Sequence, residues 1–280
     1  MLIANPIYDV VFKYLLEDIE IARDLISTIL GENVTELQVK PQETLVQGET
    51  GEIKIFHLDF KAIIETKEGN QRTVLIELQK AKKSYDIMRF RKYLGENYTK
   101  EEIQRNELGE LESSVIEIVT IYILGFKLEG VDVPVLKVSR KYQDAITQEE
   151  VSAENEFIQK LTHECYTIQI PRLQHKQRNQ LEEVLEIFSQ DYVTDNLHTL
   201  NFEKASKNTL VKKMLRRLSK AAASEKIRKT MDAEDALDRL INRETEAKLK
   251  EYEEKLQASE REKAALKEQL DAALKRLNKE

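Results

Sequence analysis

With 280 residues, 41% hydrophobic and 34% charged, the chain can bury one sizeable core and still carry a charged extension. Cys165 is the single cysteine, which excludes internal disulfides and cysteine-built zinc clusters, and no run of about 18 apolar residues spans a membrane. The net charge of −7 averages over segments, so it does not exclude nucleic acid, which needs only a local cationic stripe. The opening MLIANPIYDVVFKYL has no basic region followed by an apolar run and a cleavage site. The expectation is a cytoplasmic, reduced protein.

In chain order, apolar residues recur at helical spacing over 8–30, between Asn5-Pro6 and Gly31, and predict a helix. A polar, β-tolerant stretch covers 34–45 and a turn 47–51. Residues 53–66 alternate as a strand, with Phe56, Leu58, Phe60, Ala62 and Ile64 on one face and His57, Asp59 and Lys61 on the other. A turn at 67–70 leads to a second strand, 72–81, in which Val74, Ile76 and Leu78 oppose Leu75, Glu77 and Gln79. A helix is expected over 85–105. The most apolar strand, 115–128, follows as the natural centre of a sheet. Shorter strands at 131–138 and 165–170, helices at 177–190 and 201–221, and a long helix from about 232 complete the pattern. The expected fold is α/β, a mixed sheet flanked by helices. The expected organisation is a core at 1–145, a helical extension with a basic segment at 146–230, and a long helix at 231–280. Heptad spacing of Leu249, Leu256, Leu270 and Leu277 suggests a coiled coil and a homodimer, although Lys263 and Ser259 interrupt the seam. A single amphipathic helix folded back on the globular part is the other option.

Two carboxylates carry the chemistry. If the strands at 53–66 and 72–81 form an antiparallel hairpin, Asp59 comes opposite or nearly opposite Glu77, and facing like charges destabilise a sheet. A divalent cation such as Mg²⁺ resolves that conflict, and it would activate water and neutralise a phosphate. Gln79 shares the strand phase of Glu77 and can orient water or phosphate, and Lys61 shares that of Asp59. The bland alternative is a pair of solvent-facing carboxylates. Asp9 and Lys13 lie four apart on the first helix, a spacing that also suits a surface ion pair. His163, Glu164 and Cys165 are close in sequence without metal-site spacing, and a structural histidine is expected.

Asp9, Phe12 and Lys13, then Leu58-Asp59, then Ile76-Glu77-Leu78-Gln79, then Arg89 and Tyr93, match in order and type a known family. In these motifs the chain resembles the PD-(D/E)XK nuclease family transposases, the Rpn-like recombination-promoting nucleases, over residues 1–130 and more loosely to about 220. The resemblance implies a restriction-endonuclease-like fold and Mg²⁺- or Mn²⁺-dependent cleavage of double-stranded DNA. It makes Asp59 and Glu77 the metal ligands, sets Gln79 at the motif's usual Lys position, as in related members, and adds Asp9 as a further acidic group at the rim. Leu58 stands where the motif's Pro would be. Candidate DNA contacts are Lys61, Lys80, Lys82, Lys83, Arg89 and Arg91, which surround the motif. A second basic block, ten Lys or Arg from 204 to 229 including Arg216 and Arg217, either tracks phosphates or pairs with the acidic segment 232–246. The competing reading is an inactive nuclease-like scaffold that assembles through its tail. RNA, whose phosphates such a site would touch similarly, is a third option.

Overall fold

The apolar run after Tyr8 folds as two helices, α1 (Asp9–Leu16) and α2 (Ile19–Leu30), where one was expected. Asp18 divides them. Its backbone leaves the helical region (φ −80°, ψ 103°), and its carboxylate accepts from Ile21 N, capping α2. Gly31 closes α2 in the left-handed conformation at φ 71°, a C-cap that costs a residue without Cβ nothing. Val11, Phe12, Leu15 and Leu16 on α1 and Ile21, Leu25, Ile26 and Ile29 on α2 are all buried.

The structure, a computed structural model, describes residues 1–48, 51–65, 71–81, 87–105, 111–153, 155–174, 176 and 178–277. The expected turn at 67–70 lies outside them. Six strands form a mixed sheet. In spatial order they are β2 (Asn33–Gly48), β3 (Gly51–Glu65), β4 (Gln71–Ala81), β7 (Glu117–Leu124), β9 (Glu164–Gln169) and β8 (Val135–Val138). β2, β3 and β4 pair antiparallel, and the β3–β4 hairpin is the pairing that alternation predicts. β4–β7 and β7–β9 are parallel, and β8 runs antiparallel on the edge. A parallel pair requires a long crossover, and the chain between β4 and β7 supplies one in α3 (Ile87–Tyr98).

That helix is shorter than expected. The N–H groups of Thr99 and Lys100 turn back to the carbonyls of Glu96 and Asn97, and the chain then forms a hairpin, β5 (Glu101–Arg105) with β6 (Leu111–Val115). Ile103 and Leu111 are 74% and 69% exposed, so these apolar side chains add nothing to the core.

Period two sorts the sheet into two faces. Phe60, Ala62, Ile64, Val74, Ile76, Val119, Ile121, Ile123, Tyr166 and Ile168 are buried on the first. α2 covers this face, and the Tyr166 hydroxyl donates to Leu30 O at 3.2 Å. The second face is mixed: Lys61, Ile63, Thr73 and Tyr122 are half-buried, while Leu75, Thr120, Leu124 and Gln169 are buried.

On the side of α1 and α2 lies a further helical layer. It holds α5 (Gln180–Leu185), running on as a 3-10 turn Glu186–Phe188, and α6 (Thr209–Ala222). α6 begins later than expected because Asn208 caps it, accepting from Leu210 N and Val211 N. Before it, β10 (Thr199–Asn201) pairs with β1 (Leu2–Ala4), and the terminal amino group donates to Phe202 O. Neither short strand was expected from the sequence. Residues Met1–Arg228 make one unit, so the expected division at residue 145 falls inside it, with β9 seated between β7 and β8. The second unit, Lys229–Glu280, is in its described part the portion of the helix α7 (Glu225–Leu277) beyond Arg228. Within it Tyr252, Leu256 and Leu266 are 72%, 61% and 57% exposed. No helix among the described residues is long and apolar enough to cross a membrane.

Candidate metal centre

Asp59 and Glu77 are direct register partners across β3 and β4. Facing Cα atoms in such a pair lie about 4.5–5.5 Å apart. The register continues outward on both sides. Lys40 on β2 pairs with Asp59; Thr120 on β7 pairs with Glu77, and Cys165 on β9 with Thr120. A single row across the sheet therefore reads Lys40, Asp59, Glu77, Thr120, Cys165. Thr120 is fully buried, and its hydroxyl lies 3.4 Å from Glu164 O. In strand phase the row matches the second, mixed face, two positions on from the half-buried Lys61 and the buried Leu75. The side chains of Lys40, Asp59, Glu77, Gln79 and Lys80 lie outside the described residues, as do Lys82 and Lys83.

α3 lies on this face. Phe90 stacks on Tyr122, with ring centroids 4.5 Å apart and planes 14° from parallel, and joins Leu124, Phe126 and Leu128 in one apolar cluster. Tyr122 is the register partner of Gln79, so α3 is anchored one strand away from the motif. Arg89 and Arg91 flank Phe90 in sequence. Arg91 and Lys92 are exposed, and the Arg89 side chain is outside the described residues. At the other end of the helix the Tyr98 hydroxyl shares a 2.7 Å hydrogen bond with His163 Nδ1. His163 is thus a structural residue that pins α3 to the start of β9. Burial, with the Arg140 guanidinium nearby, holds its imidazole below the ordinary range.

The N-terminal ends of β4 and β7 are braced by charge. Glu117, 8% exposed, accepts from Arg72 Nη1 at 3.0 Å and Arg140 Nη2 at 2.7 Å. Arg140 also donates to Gln159 O at 2.9 Å, and Arg72 Nη2 to Glu32 at 2.9 Å. Burial works to lower the Arg72 pKa, but Glu117 and Glu32 outweigh it and the net shift is upward. This cluster pairs its carboxylates with cations, and it serves to tie strands to the loop after β8.

Asp9 opens α1 and is exposed; its relation to Asp59 and Glu77 depends on side chains outside the described residues. The basic block after residue 204 divides in two. Lys204 pairs with the buried Glu186, and Lys213 bonds Glu20 at 3.0 Å. Arg217 donates from Nε to Tyr14 O at 2.6 Å, covers the Tyr14 ring at 4.3 Å and lies 3.7 Å from Asp18. Arg216 is exposed. The register partners Lys40 and Thr120 escaped the sequence reading. The signal for Thr120 was the α3 crossover, which makes β4 and β7 parallel neighbours.

Among the described residues no group of three or more His, Cys, Asp or Glu side chains gathers to hold a metal. Two facing carboxylates fit a cation that keeps much of its water, as Mg²⁺ does, and do not make a closed protein cage. Comparison with family models, with curated proteins and with solved structures gives no match to this chain.

Proposed function

We propose that the protein is a divalent-metal-dependent DNA endonuclease with a restriction-endonuclease-like core. The observation that carries the reading is the register of Asp59 against Glu77 at the middle of a mixed sheet. Two facing carboxylates repel each other, and a sheet selected only for stability would gain from a cation opposite Glu77. The arrangement of a carboxylate-bearing antiparallel hairpin followed by a helical crossover to a parallel neighbour also supports the core assignment.

In this reading Asp59 and Glu77 would hold Mg²⁺ or Mn²⁺, which would supply Lewis-acid activation of water and neutralisation of charge on the phosphate. Gln79 donates its amide N–H to orient water or a phosphate oxygen and does not accept a proton as a base. Asp9 adds acidity at the rim. Lys61, Lys80, Lys82, Lys83, Arg89 and Arg91 contact the DNA backbone, Arg89 and Arg91 from the helix anchored beside Gln79. Arg217 drops out of the candidate DNA contacts, because Tyr14 and Asp18 already occupy its guanidinium. The exposed Tyr252, Leu256 and Leu266 of α7 support pairing of two copies as a coiled coil.

The test is nicking of supercoiled plasmid by wild type, Asp59→Ala and Glu77→Ala, in Mg²⁺ and in EDTA. Cleavage by wild type in Mg²⁺ is expected to fall by at least about two orders of magnitude in each variant and to vanish in EDTA. Cleavage that survives both substitutions would move the site elsewhere. Absence of cleavage with every divalent metal would leave the inactive scaffold as the better account.

A further inference from the structure

α6 turns an unopposed cationic face to solvent. Its apolar positions Leu210, Val211, Met214, Leu215, Leu218 and Ala221 are buried against α1, α2 and β1. At 100° per residue these centre on one side of the helix, and Lys212, Arg216 and Lys220, each four residues apart, fall on the other. All three are exposed, and α6 contains no acidic residue. Lys213 and Arg217, one position along from Lys212 and Arg216, differ sharply: Glu20, Asp18 and Tyr14 engage them. Among the described residues no carboxylate pairs with Lys212, Arg216 or Lys220. The fold thus neutralises one row of cations and leaves the adjacent row open.

We propose that the Lys212–Arg216–Lys220 row is a docking surface for the phosphate backbone of duplex DNA. The row advances about 6 Å per step along a straight helix, which suits a linear polyanion better than a compact ligand. A membrane surface fits poorly. Interfacial helices insert an apolar flank beside their basic residues, and the apolar flank of α6 is already buried in the fold. The row lies on the helical layer over α1 and α2, whereas the Asp59–Glu77 row shares its strand phase with the other face of the sheet. The choice of duplex DNA as the polyanion rests on the proposed function, but docking here does not use the metal centre, and it can fail or succeed independently of cleavage.

The experiment measures fluorescence anisotropy of a short labelled DNA duplex against the full-length chain, in EDTA, across a salt series. Wild type is compared with the triple variant Lys212→Ala, Arg216→Ala, Lys220→Ala. Wild type is expected to bind. The variant is expected to bind at least about tenfold more weakly, with a slope of log affinity against log salt smaller by about 2–3, since each lost phosphate contact removes about 0.9. All three side chains are exposed, so the variant's urea midpoint should match wild type and confirm that folding is intact. No duplex binding by wild type, or an unchanged salt slope in the folded variant, would overturn the proposal. So would binding to phosphatidylserine vesicles in preference to the duplex.

Discussion

Arg217 stacks on Tyr14 and bonds its carbonyl, while Arg216, one position earlier, stands in solvent. In the sequence the two are equivalent members of a basic block; only packing separates a brace from an open cation. His163 shows the same dependence on surroundings. With Tyr98 on its Nδ1, burial and Arg140 hold its folded-state pKa below the unfolded value. As pH falls, the unfolded chain takes the proton first, so protonation favours unfolding. The fold is expected to lose stability below about pH 6.5, progressively until the folded imidazole itself titrates. Urea midpoints measured on either side of that value should fall less in His163→Gln, which keeps a polar partner for Tyr98 but does not titrate. An equal fall in both proteins would show that His163 does not report this linkage.

The hairpin of β3 and β4 is readable from sequence because alternation fixes its faces and Lys67-Glu68-Gly69-Asn70 reads as a turn between them. That is why Asp59 is expected opposite or nearly opposite Glu77, and the structure makes the two direct register partners. The split between α1 and α2 was less visible. Asp18 sits inside a continuous apolar rhythm, and its capping role appears only once the backbone bends around it. α3 was overextended for a related reason: the polar residues after Tyr98 suit an exposed helix and an exposed hairpin equally well, and no buried face decides between them. In α7 the apolar positions leave a clear expectation. Exposed Tyr252, Leu256 and Leu266 lie along one long helix, and their burial between two copies would stabilise a dimer. Light scattering on the full chain should give twice the monomer mass, and polar replacement of Leu256 and Leu266 should return a monomer. A monomeric wild type would remove the dimer from the account.

At the scale of the molecule, local pattern identifies the strands but does not arrange them. The parallel joins of β4 to β7 and β7 to β9, and the closure of β1 on β10, depend on contacts distant in sequence. Those joins put Thr120 beside Glu77 and bring α3 over Tyr122, so the neighbourhood of the carboxylate pair is a product of topology. The pair itself is the centre of the proposed function, in which Asp59 and Glu77 would hold a divalent cation. The most direct measurement is calorimetric titration of the full-length protein with Mn²⁺, for wild type, Asp59→Ala and Glu77→Ala. The account predicts saturable binding by wild type and loss of that binding in each variant, with the urea midpoint of Glu77→Ala equal to or above that of metal-free wild type, because a repelling carboxylate has been removed and the other register partner, Thr120, is neutral. Mn²⁺ binding that persists unchanged in both variants, or a wild type indifferent to Mn²⁺, would contradict it.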